Sequence, residues 1–342
     1  MHRPLRLTID SASLVHNWRT LAEHSGVPAG AAIKANAYGL GAREALDALY
    51  DAGCRDFFVA VWAEAEALGQ IPEAASLAVL HGIGPDDVEA ALSLNARPVL
   101  NTIEQVSRWK QVAAARPCDV MIDTGMNRLG LRPDEISALD GLAIETLHSH
   151  LACADEDSEL NAKQLQRFRD VASAVPAKRY SLANSAGIYL GRDYSFDLVR
   201  PGLALYGGIP RPEAQGEIRQ VAHVEAQVVQ RRTIRTGESC GYGATFVAGG
   251  DTEAAILNIG YADGYLRGFS AKGSAFAEEF ALPVLGRVSM DLIAVGCDAV
   301  AGLREGDWVE IDYDLPTAAA ASGLSQYELL TSLGSRFERR WA

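Results

Sequence analysis

Short apolar runs alternate with longer amphipathic segments from about residue 29 to about residue 200, and this alternation is typical of repeating βα units. Eight apolar runs are predicted to be strands, the number that a closed parallel barrel requires: Ala31–Lys34, Phe57–Val61, Leu77–Leu80, Pro98–Leu100, Asp119–Ile122, Ile144–His150, Arg179–Leu182 and Phe196–Val199. Helical spacing occurs in four intervening segments: Ala42–Ala52, Pro85–Leu94, Thr102–Ala115 and Ser158–Val175. The pattern predicts an α/β protein built on a (β/α)8 TIM-type barrel.

After about residue 220 the pattern changes to alternating or β-branched stretches separated by glycines. These stretches predict a second, mainly β domain with strands at Val221–Arg235, Ala254–Ile259, Ala281–Leu285, Leu292–Gly296 and Trp308–Asp312. The expected boundaries are 10–218 for the barrel and 219–342 for the C-terminal β domain, joined near the turn-rich segment Pro210–Gly216. Residues 1–9 are expected to pair with the β domain.

Composition restricts the possible partners. The chain has 342 residues with 48% hydrophobic and 22% charged residues, as in an ordinary soluble globular protein. A net charge of -13 without a basic cluster argues against nucleic acid as a partner. No segment approaches the length of a membrane span, and we expect no export signal, because the first ten residues show no long apolar core and no cleavage-site pattern. Five widely spaced cysteines without a Cys-x-x-Cys pair fit a reducing compartment, so a cytoplasmic protein is expected.

Lys34 is the first candidate for chemistry, because it is the lysine that directly follows a buried-looking strand. Partial desolvation disfavours the charged form of an amine and makes it a plausible nucleophile or Schiff-base former. The alternative is a lysine whose aliphatic stem packs on the strand end while its amine reaches water.

Residues at the carboxyl ends of barrel strands face the active site. That position is held here by the segments Asp123–Arg128, His148–His150, Asn184–Ser185 and Arg200–Gly202. They contain no paired carboxylates of a glycosidase and no spacing of metal ligands, so no metal is expected. A small hydroxyl and a glycine after strands seven and eight suit a phosphate cradle, although each could also be a simple turn.

A lysine and a phosphate cradle without a metal suggest pyridoxal phosphate, whose aldehyde bonds an amine while its phosphate anchors the ring. Eight motifs, in order over nearly the whole chain, resemble the alanine racemase family: Ile33-Lys-Ala-Asn-Ala-Tyr-Gly-Leu-Gly41, Asp123-Thr-Gly-Met-Asn-Arg-Leu-Gly130, His150, Asn184-Ser-Ala-Gly187, Val199-Arg-Pro-Gly202, Gly241-Tyr-Gly-Ala-Thr245, Ile259-Gly-Tyr-Ala-Asp-Gly264 and Gly286-Arg-Val-Ser-Met-Asp291.

The resemblance implies two catalytic bases. Lys34 would hold pyridoxal 5'-phosphate as a covalent imine and then act as the base on one face of the substrate's Cα. Tyr242 would be the base on the opposite face, supplied by the partner subunit of a homodimer with composite active sites. Racemisation requires a base on each face, because a proton removed from one side is replaced from the other.

The resemblance also implies a cofactor-binding set: Lys34, Tyr38, His150, Asn184, Ser185, Arg200, Gly202 and Leu203. Arg200 would face the pyridine nitrogen, and because an arginine keeps its proton, that nitrogen would stay unprotonated. His150 would orient Arg200 by a hydrogen bond, unless it is an ordinary core histidine.

A substrate-binding set follows in the same way: Arg128, Met290, Tyr261 and Asp291. Arg128 would lie near the substrate carboxylate, and Met290 would offer its backbone amide to it. Some family members brace this arginine with a carbamylated lysine, but the equivalent position here is Met121. A tyrosine near the C-terminus of some members is also missing, and Ser335 or a neighbour stands in its place.

The function implied by the resemblance is interconversion of L- and D-alanine, with D-alanine supplied for peptidoglycan. Two alternatives remain open from the sequence. One is the same chemistry on serine or a basic amino acid, since the residues around the substrate side chain are hard to identify. The other is a decarboxylase or aldolase on the same barrel, which a dedicated base such as Tyr242 disfavours.

Overall fold

The computed structural model describes residues 3–113 and 115–342, and the chain divides into two compact units. One unit is Leu14–Arg219, and the other combines the residues up to Ser13 with Gln220–Ala342. Two expectations fall partly outside the described residues: Met1 and His2 in the N-terminal segment, and Ala114 in the helix predicted over Thr102–Ala115.

The unit Leu14–Arg219 is an α/β barrel. Its seven parallel strands are hydrogen-bonded in chain order: β2 (Ala31–Ala32), β3 (Asp56–Val59), β4 (Ser76–Val79), β5 (Arg97–Leu100), β6 (Cys118–Met121), β7 (Ile144–His148) and β8 (Arg179–Ser181). The helical elements assigned in this part of the chain are α1 (Ser11–Ser25), the left-handed turn α2 (Lys34–Tyr38), α3 (Ala42–Ala52), α4 (Trp62–Ala67), α5 (Val88–Ser93), α6 (Ile103–Ala113), α7 (Glu159–Ala174) and α8 (Ser185–Ile188).

The eighth strand position of the barrel is not occupied by a regular strand, although the sequence predicts one over Phe196–Val199. Residues 197–201 instead run extended between β8 and β2 and hydrogen-bond to both sides. The amide of Arg200 donates to Ala183 O at 2.9 Å on one side. On the other side, the amide of Gly30 donates to Val199 O at 2.9 Å. These bonds close the sheet, and the predicted barrel class is confirmed.

The second unit is mainly β. Its strands are β1 (Leu5–Ile9), β9 (Ala222–Ile234), β10 (Ser239–Cys240), β11 (Phe246–Val247), β12 (Thr252–Leu257), β13 (Ser274–Ala277), β14 (Phe280–Leu285), β15 (Ile293–Gly296), β16 (Trp308–Ile311) and β17 (Glu338–Trp341). Eight of them form one sheet in the order β12-β15-β14-β13-β16-β9-β1-β17, and β9 also pairs with β12. Two helices follow, α9 (Leu315–Ser322) and α10 (Gln326–Ser332).

Alternation of buried and partly exposed side chains explains why β1 and β9 pair in this sheet. Leu5, Leu7 and Ile9 are fully or almost fully buried, and the residues between them are partly exposed. β1 pairs antiparallel with the first half of β9, which shows the same two-residue period. Among the described residues, no helix is both long and apolar enough to cross a membrane.

Candidate active site

Lys34 lies directly after β2 and is partly buried. Burial lowers the pKa of its amine, and the positive charge of Arg128 lowers it further, while Glu64 acts in the opposite direction. A larger fraction of the amine is therefore neutral than in water, which is the form that attacks a carbonyl carbon.

The turn after Lys34 is left-handed, not right-handed. Ala35, Asn36 and Ala37 have φ values of 52°, 55° and 51°, which cost about 1–2 kcal/mol per residue for L-amino acids. Glu64 holds the turn, because its carboxylate accepts hydrogen bonds from the amides of Ala35 at 2.7 Å and Ala60 at 2.6 Å. Strain of this kind is retained where the surrounding structure needs the geometry, and here it fixes the path between Lys34 and Tyr38.

Tyr38, Ser185 and Gly202 lie together. Ser185 Oγ accepts hydrogen bonds from the amides of Gly202 at 2.9 Å and Ala204 at 3.2 Å. A Cβ on residue 202 would lie 2.2 Å from Tyr38 Oη, so only glycine allows this approach. The hydroxyls of Tyr38 and Ser185 thus meet at the backbone of Gly202, and hydroxyl donors after the last barrel strands suit a phosphate group.

Two further residues predicted to bind the cofactor lie beside this cluster. Asn184 caps the short helix α8, since its Oδ1 accepts a hydrogen bond from the Gly187 amide at 2.9 Å. Leu203 is buried at the start of a 3-10 turn that runs to Tyr206. Both residues hold the backbone around Ser185 and Gly202 in place.

Arg200 is buried, and its guanidinium donates to Ser149 O at 2.6 Å and to Ser181 Oγ. Burial lowers its pKa to about 10, so the group stays charged at neutral pH. The hydrogen bond expected from His150 is not formed. Ser149, just after β7, and Ser181, at the end of β8, bind the Arg200 guanidinium instead.

His150 nevertheless belongs to the same electrostatic environment. Burial lowers its pKa to about 3, and the charges of Arg200, Arg128 and Lys34 act in the same direction. The imidazole is therefore neutral at physiological pH. Three cationic groups lie close enough to lower the pKa of one histidine. Together they form a positively charged region, which favours an anionic ligand.

Arg128 follows a turn organised by Asp123, whose Oδ1 accepts hydrogen bonds from three successive amides, those of Gly125, Met126 and Asn127. The Arg128 side chain is exposed and makes no hydrogen bond or ion pair with the residues that the structure describes. Met121, where relatives of the resembled family can carry a lysine, is a buried apolar residue at the end of β6. The guanidinium is therefore available to a ligand.

The other four predicted residues belong to the β unit. Tyr242 is 68% exposed and Met290 is 52% exposed, which is unusual for an aromatic residue and a methionine. Within the described part of the chain, neither the Tyr242 hydroxyl nor the Met290 amide has a hydrogen-bond partner. Tyr261 and Asp291 lie on turns next to Met290, and the Tyr261 amide donates to Ser289 O at 3.0 Å.

Sequence reasoning missed two residues of these clusters. Glu64 lies in the stretch Ala63–Ala67, which reads as an ordinary charged helix face, so no sequence signal reveals its bond to the Lys34 turn. Arg287 lies against the Tyr242 turn, with its Nη1 3.0 Å from the position that a Cβ would take on Gly243. Its place inside the motif Gly286–Asp291 was a signal that could have revealed it.

Fold and site together define an α/β-barrel protein that places a desolvated amine beside a positively charged, hydroxyl-lined cluster. A family model described as alanine racemase, N-terminal domain, matches residues 9–210, and a model described as alanine racemase, C-terminal domain, matches residues 221–341. The chain belongs to the alanine racemase family.

Individual relatives agree with this assignment. The chain is 40% identical to an alanine racemase of Methylobacterium nodulans, over 98% of this chain and 95% of that protein. It is also 40% identical to a catabolic alanine racemase of Agrobacterium fabrum, over 98% of this chain and 91% of that protein. Its fold is similar to the crystal structure of alanine racemase from Bartonella henselae with covalently bound pyridoxal phosphate (TM-score 0.92, 37% identity, 100% of both chains).

Proposed function

We propose that this protein is a pyridoxal-phosphate-dependent isomerase that interconverts L- and D-alanine with two bases, Lys34 and Tyr242 of the partner subunit. The observation that carries the proposal is the position of Lys34, whose desolvated amine shares the barrel's strand ends with the Tyr38, Ser185 and Gly202 cluster. The two domains then have separate roles: the barrel binds the cofactor, and the β domain completes the site of the partner.

The residues present fit this cofactor. Gly202 lacks the Cβ that would collide with the Tyr38 hydroxyl, so this hydroxyl can lie against the backbone, and Ser185 adds a second hydroxyl that could bind a phosphate. The cationic groups around His150 would balance the negative charges of that phosphate and of the cofactor's phenolic oxygen. Lys34 would bond the cofactor's aldehyde, and Arg200 would meet its pyridine nitrogen.

The bound cofactor supplies an electron-withdrawing ring that makes the proton on the substrate's Cα acidic. Lys34 Nζ takes or returns that proton on one face, and Tyr242 Oη does so on the other. A single base could only return the proton to the side from which it came. Exposure of Tyr242 in its own chain, without a hydrogen-bond partner among the described residues, is consistent with a role in a second subunit.

Arg200 limits the chemistry to proton transfer. Its guanidinium keeps its proton at neutral pH, so it would donate a hydrogen bond to the ring nitrogen of the cofactor without transferring a proton to it. A ring left unprotonated in this way would withdraw electrons less strongly, which would disfavour reactions other than proton transfer. His150, neutral beside it, adds no competing charge.

Arg128 and Met290 supply the donors for the substrate carboxylate. The Arg128 guanidinium offers a planar fork that matches a carboxylate, and the Met290 amide adds a directed hydrogen bond. Tyr261 and Asp291 would line the access to this position. The homodimer is a requirement of the proposal, since Tyr242 and Met290 would serve the partner's barrel.

The relatives include both a biosynthetic and a catabolic alanine racemase of Agrobacterium fabrum, at 39% and 40% identity. Within the proposal, the reaction supplies D-alanine for peptidoglycan, and it takes place in the cytoplasm. The five cysteines, all free thiols, are consistent with a reducing compartment.

The test is a chiral chromatographic assay of the cofactor-loaded protein on L-alanine, D-alanine, L-serine, L-lysine and L-arginine. The proposal predicts that both alanine enantiomers are converted to the same equal mixture, faster than any other substrate in the panel. Loss of carbon dioxide, or faster turnover of another amino acid, would contradict it. A Lys34→Ala variant serves as the blank for conversion by free cofactor.

A further inference from the structure

Three turns of the β unit meet around one arginine. They are the turns 260–264, 289–292 and 332–336, named here the Tyr261 turn, the Met290 turn and the Arg336 turn. The amides of Tyr261 and Ala262 donate to Ser289 O and Met290 O, each at 3.0 Å. A Cβ on Gly260 would lie 2.4 Å from both carbonyl oxygens, so these two turns are in direct backbone contact. The Gly334 amide donates to Asp263 O at 3.1 Å and attaches the third turn.

Arg336 joins the turns through its side chain. Its Nε and Nη2 donate to the two carboxylate oxygens of Asp263 at 2.6 and 2.7 Å, which is a bidentate pair. Its Nη1 donates to Asp291 Oδ1 at 2.7 Å. One planar guanidinium thus binds a carboxylate of the Tyr261 turn and a carboxylate of the Met290 turn together.

The two ends of this bridge differ in burial. The Asp263 side chain is 0% exposed, and it also accepts the Gly260 amide at 3.0 Å, so that end is fixed. The Asp291 side chain is 51% exposed. An ion pair at such a surface contributes little to stability, because water screens it and two side chains must be ordered. The bond to Asp291 therefore restricts the Met290 turn far more than it stabilises the fold.

We propose that Arg336 is a positioning residue for substrate binding: anchored on Asp263, it holds Asp291 and thereby aims the neighbouring Met290 amide at the substrate carboxylate. The inference rests on the proposed function, because it needs the Met290 amide to bind that carboxylate. That amide is exposed and has no hydrogen-bond partner within the described residues.

The Arg336→Lys variant tests the bridge. A lysine keeps the positive charge and can pair with the buried Asp263, but a single ammonium lacks the fork that spans two carboxylates. The variant should raise the KM for alanine about tenfold, the effect of one lost hydrogen bond, and change kcat less than about twofold. Binding of propionate, the carboxylate of alanine without its amine, should weaken by the same factor in calorimetry.

Two further variants make the test specific. Asp291→Asn weakens only the exposed end of the bridge, so it should reproduce the KM effect, and the double variant should be no worse than either single variant. Arg340→Lys is the matched control, since Arg340 is an exposed arginine nearby that pairs only with Glu338, at 2.9 Å, among the described residues. Its KM, kcat and propionate affinity should equal those of the parent protein.

The outcomes separate the two proposals. If the parent protein does not racemise alanine, the proposed function fails regardless of the variants. If it does, and Arg336→Lys leaves KM and propionate binding unchanged, the positioning role alone is wrong. The role is also wrong if Arg336→Lys lowers the melting temperature and kcat while Asp291→Asn behaves like the parent, because Arg336 would then be only structural.

Discussion

Gly202 lies so close to Tyr38 that a Cβ at position 202 would be 2.2 Å from the tyrosine hydroxyl oxygen and 3.0 Å from its Cζ. The backbone at 202 and the hydroxyl at 38 therefore form one surface, with Ser185 bonded to the same amide. This contact makes the proposed phosphate site sensitive to a single methyl group.

A Gly202→Ala substitution should weaken binding of pyridoxal phosphate. Overpacking of this kind costs about 1–3 kcal/mol, which corresponds to about a 5- to 150-fold increase in the dissociation constant. In a Tyr38→Phe background, Gly202→Ala should reduce the affinity for the cofactor less, because the phenylalanine lacks the hydroxyl oxygen that lies nearest to the new Cβ. Equilibrium titration of the cofactor measures both effects. Gly249→Ala, at a glycine with no heavy atom within 4 Å of its Cβ position, is the control.

An Ala35→Gly substitution should maintain or raise stability. Glycine relieves about 1–2 kcal/mol of left-handed strain and loses about 0.5–1 kcal/mol more backbone entropy on folding, so the free energy of unfolding should rise by about 0–1.5 kcal/mol. Ala48→Gly, in the right-handed helix α3, should instead lower it by about 0.5–1 kcal/mol. Urea unfolding of the two glycine variants measures this difference. An equal decrease in the free energy of unfolding at both positions would contradict a strained turn at Ala35.

Acid should destabilise the protein through its buried histidines. Neither ring nitrogen of His148 has a hydrogen-bond partner among the described residues, although Nε2 lies 3.5 Å from Asp119. Burial lowers the pKa of His148 to about 4, against the opposing effect of Asp119. Between that value and the ordinary 6.5, the unfolded chain binds a proton that the folded chain excludes, so stability falls as the pH falls.

A His148→Met variant tests this dependence. At pH 7.5 protonation of His148 has almost no effect on the free energy of unfolding. By pH 4.5 it should lower the free energy of unfolding of the parent protein by about 2 kcal/mol, and the variant should not show this decrease. Urea unfolding at several pH values measures the difference between the two proteins. A difference that stays constant with pH would show that His148 is protonated equally in both states.

Local sequence rules predicted much of the fold but not its irregular parts. The helix expected over Ala42–Ala52 has those same bounds, because its apolar face and the flanking glycines agree. The helix Leu315–Ser322 was not predicted, since four alanines carry no amphipathic pattern, although the side-chain cap of Asp314 was a usable signal. The apolar run Phe196–Val199 predicts a strand, but Phe196 has a left-handed φ of 51°, and the extended backbone begins only after it.

The sequence indicates which residues stand at the strand ends, but it does not indicate the contacts that they make. Lys34 follows from its place after an apolar run, but alanine strongly favours right-handed helices, so nothing local predicts left-handed Ala35 and Ala37. The partners of Arg200 were also unpredictable: Ser149 contributes a carbonyl oxygen and Ser181 a hydroxyl. Such bonds are set by the packing of distant strands, which no single segment encodes.

Complementation between two inactive variants tests the central claim most directly. Lys34→Ala removes the base of the barrel, and Tyr242→Phe removes the base of the β domain, so each homodimer should be inactive in alanine racemisation. A heterodimer purified through two different tags should contain one site with both bases and one with neither, and it should therefore show about half of the parent activity. A heterodimer as inactive as the two homodimers would contradict a site shared between subunits.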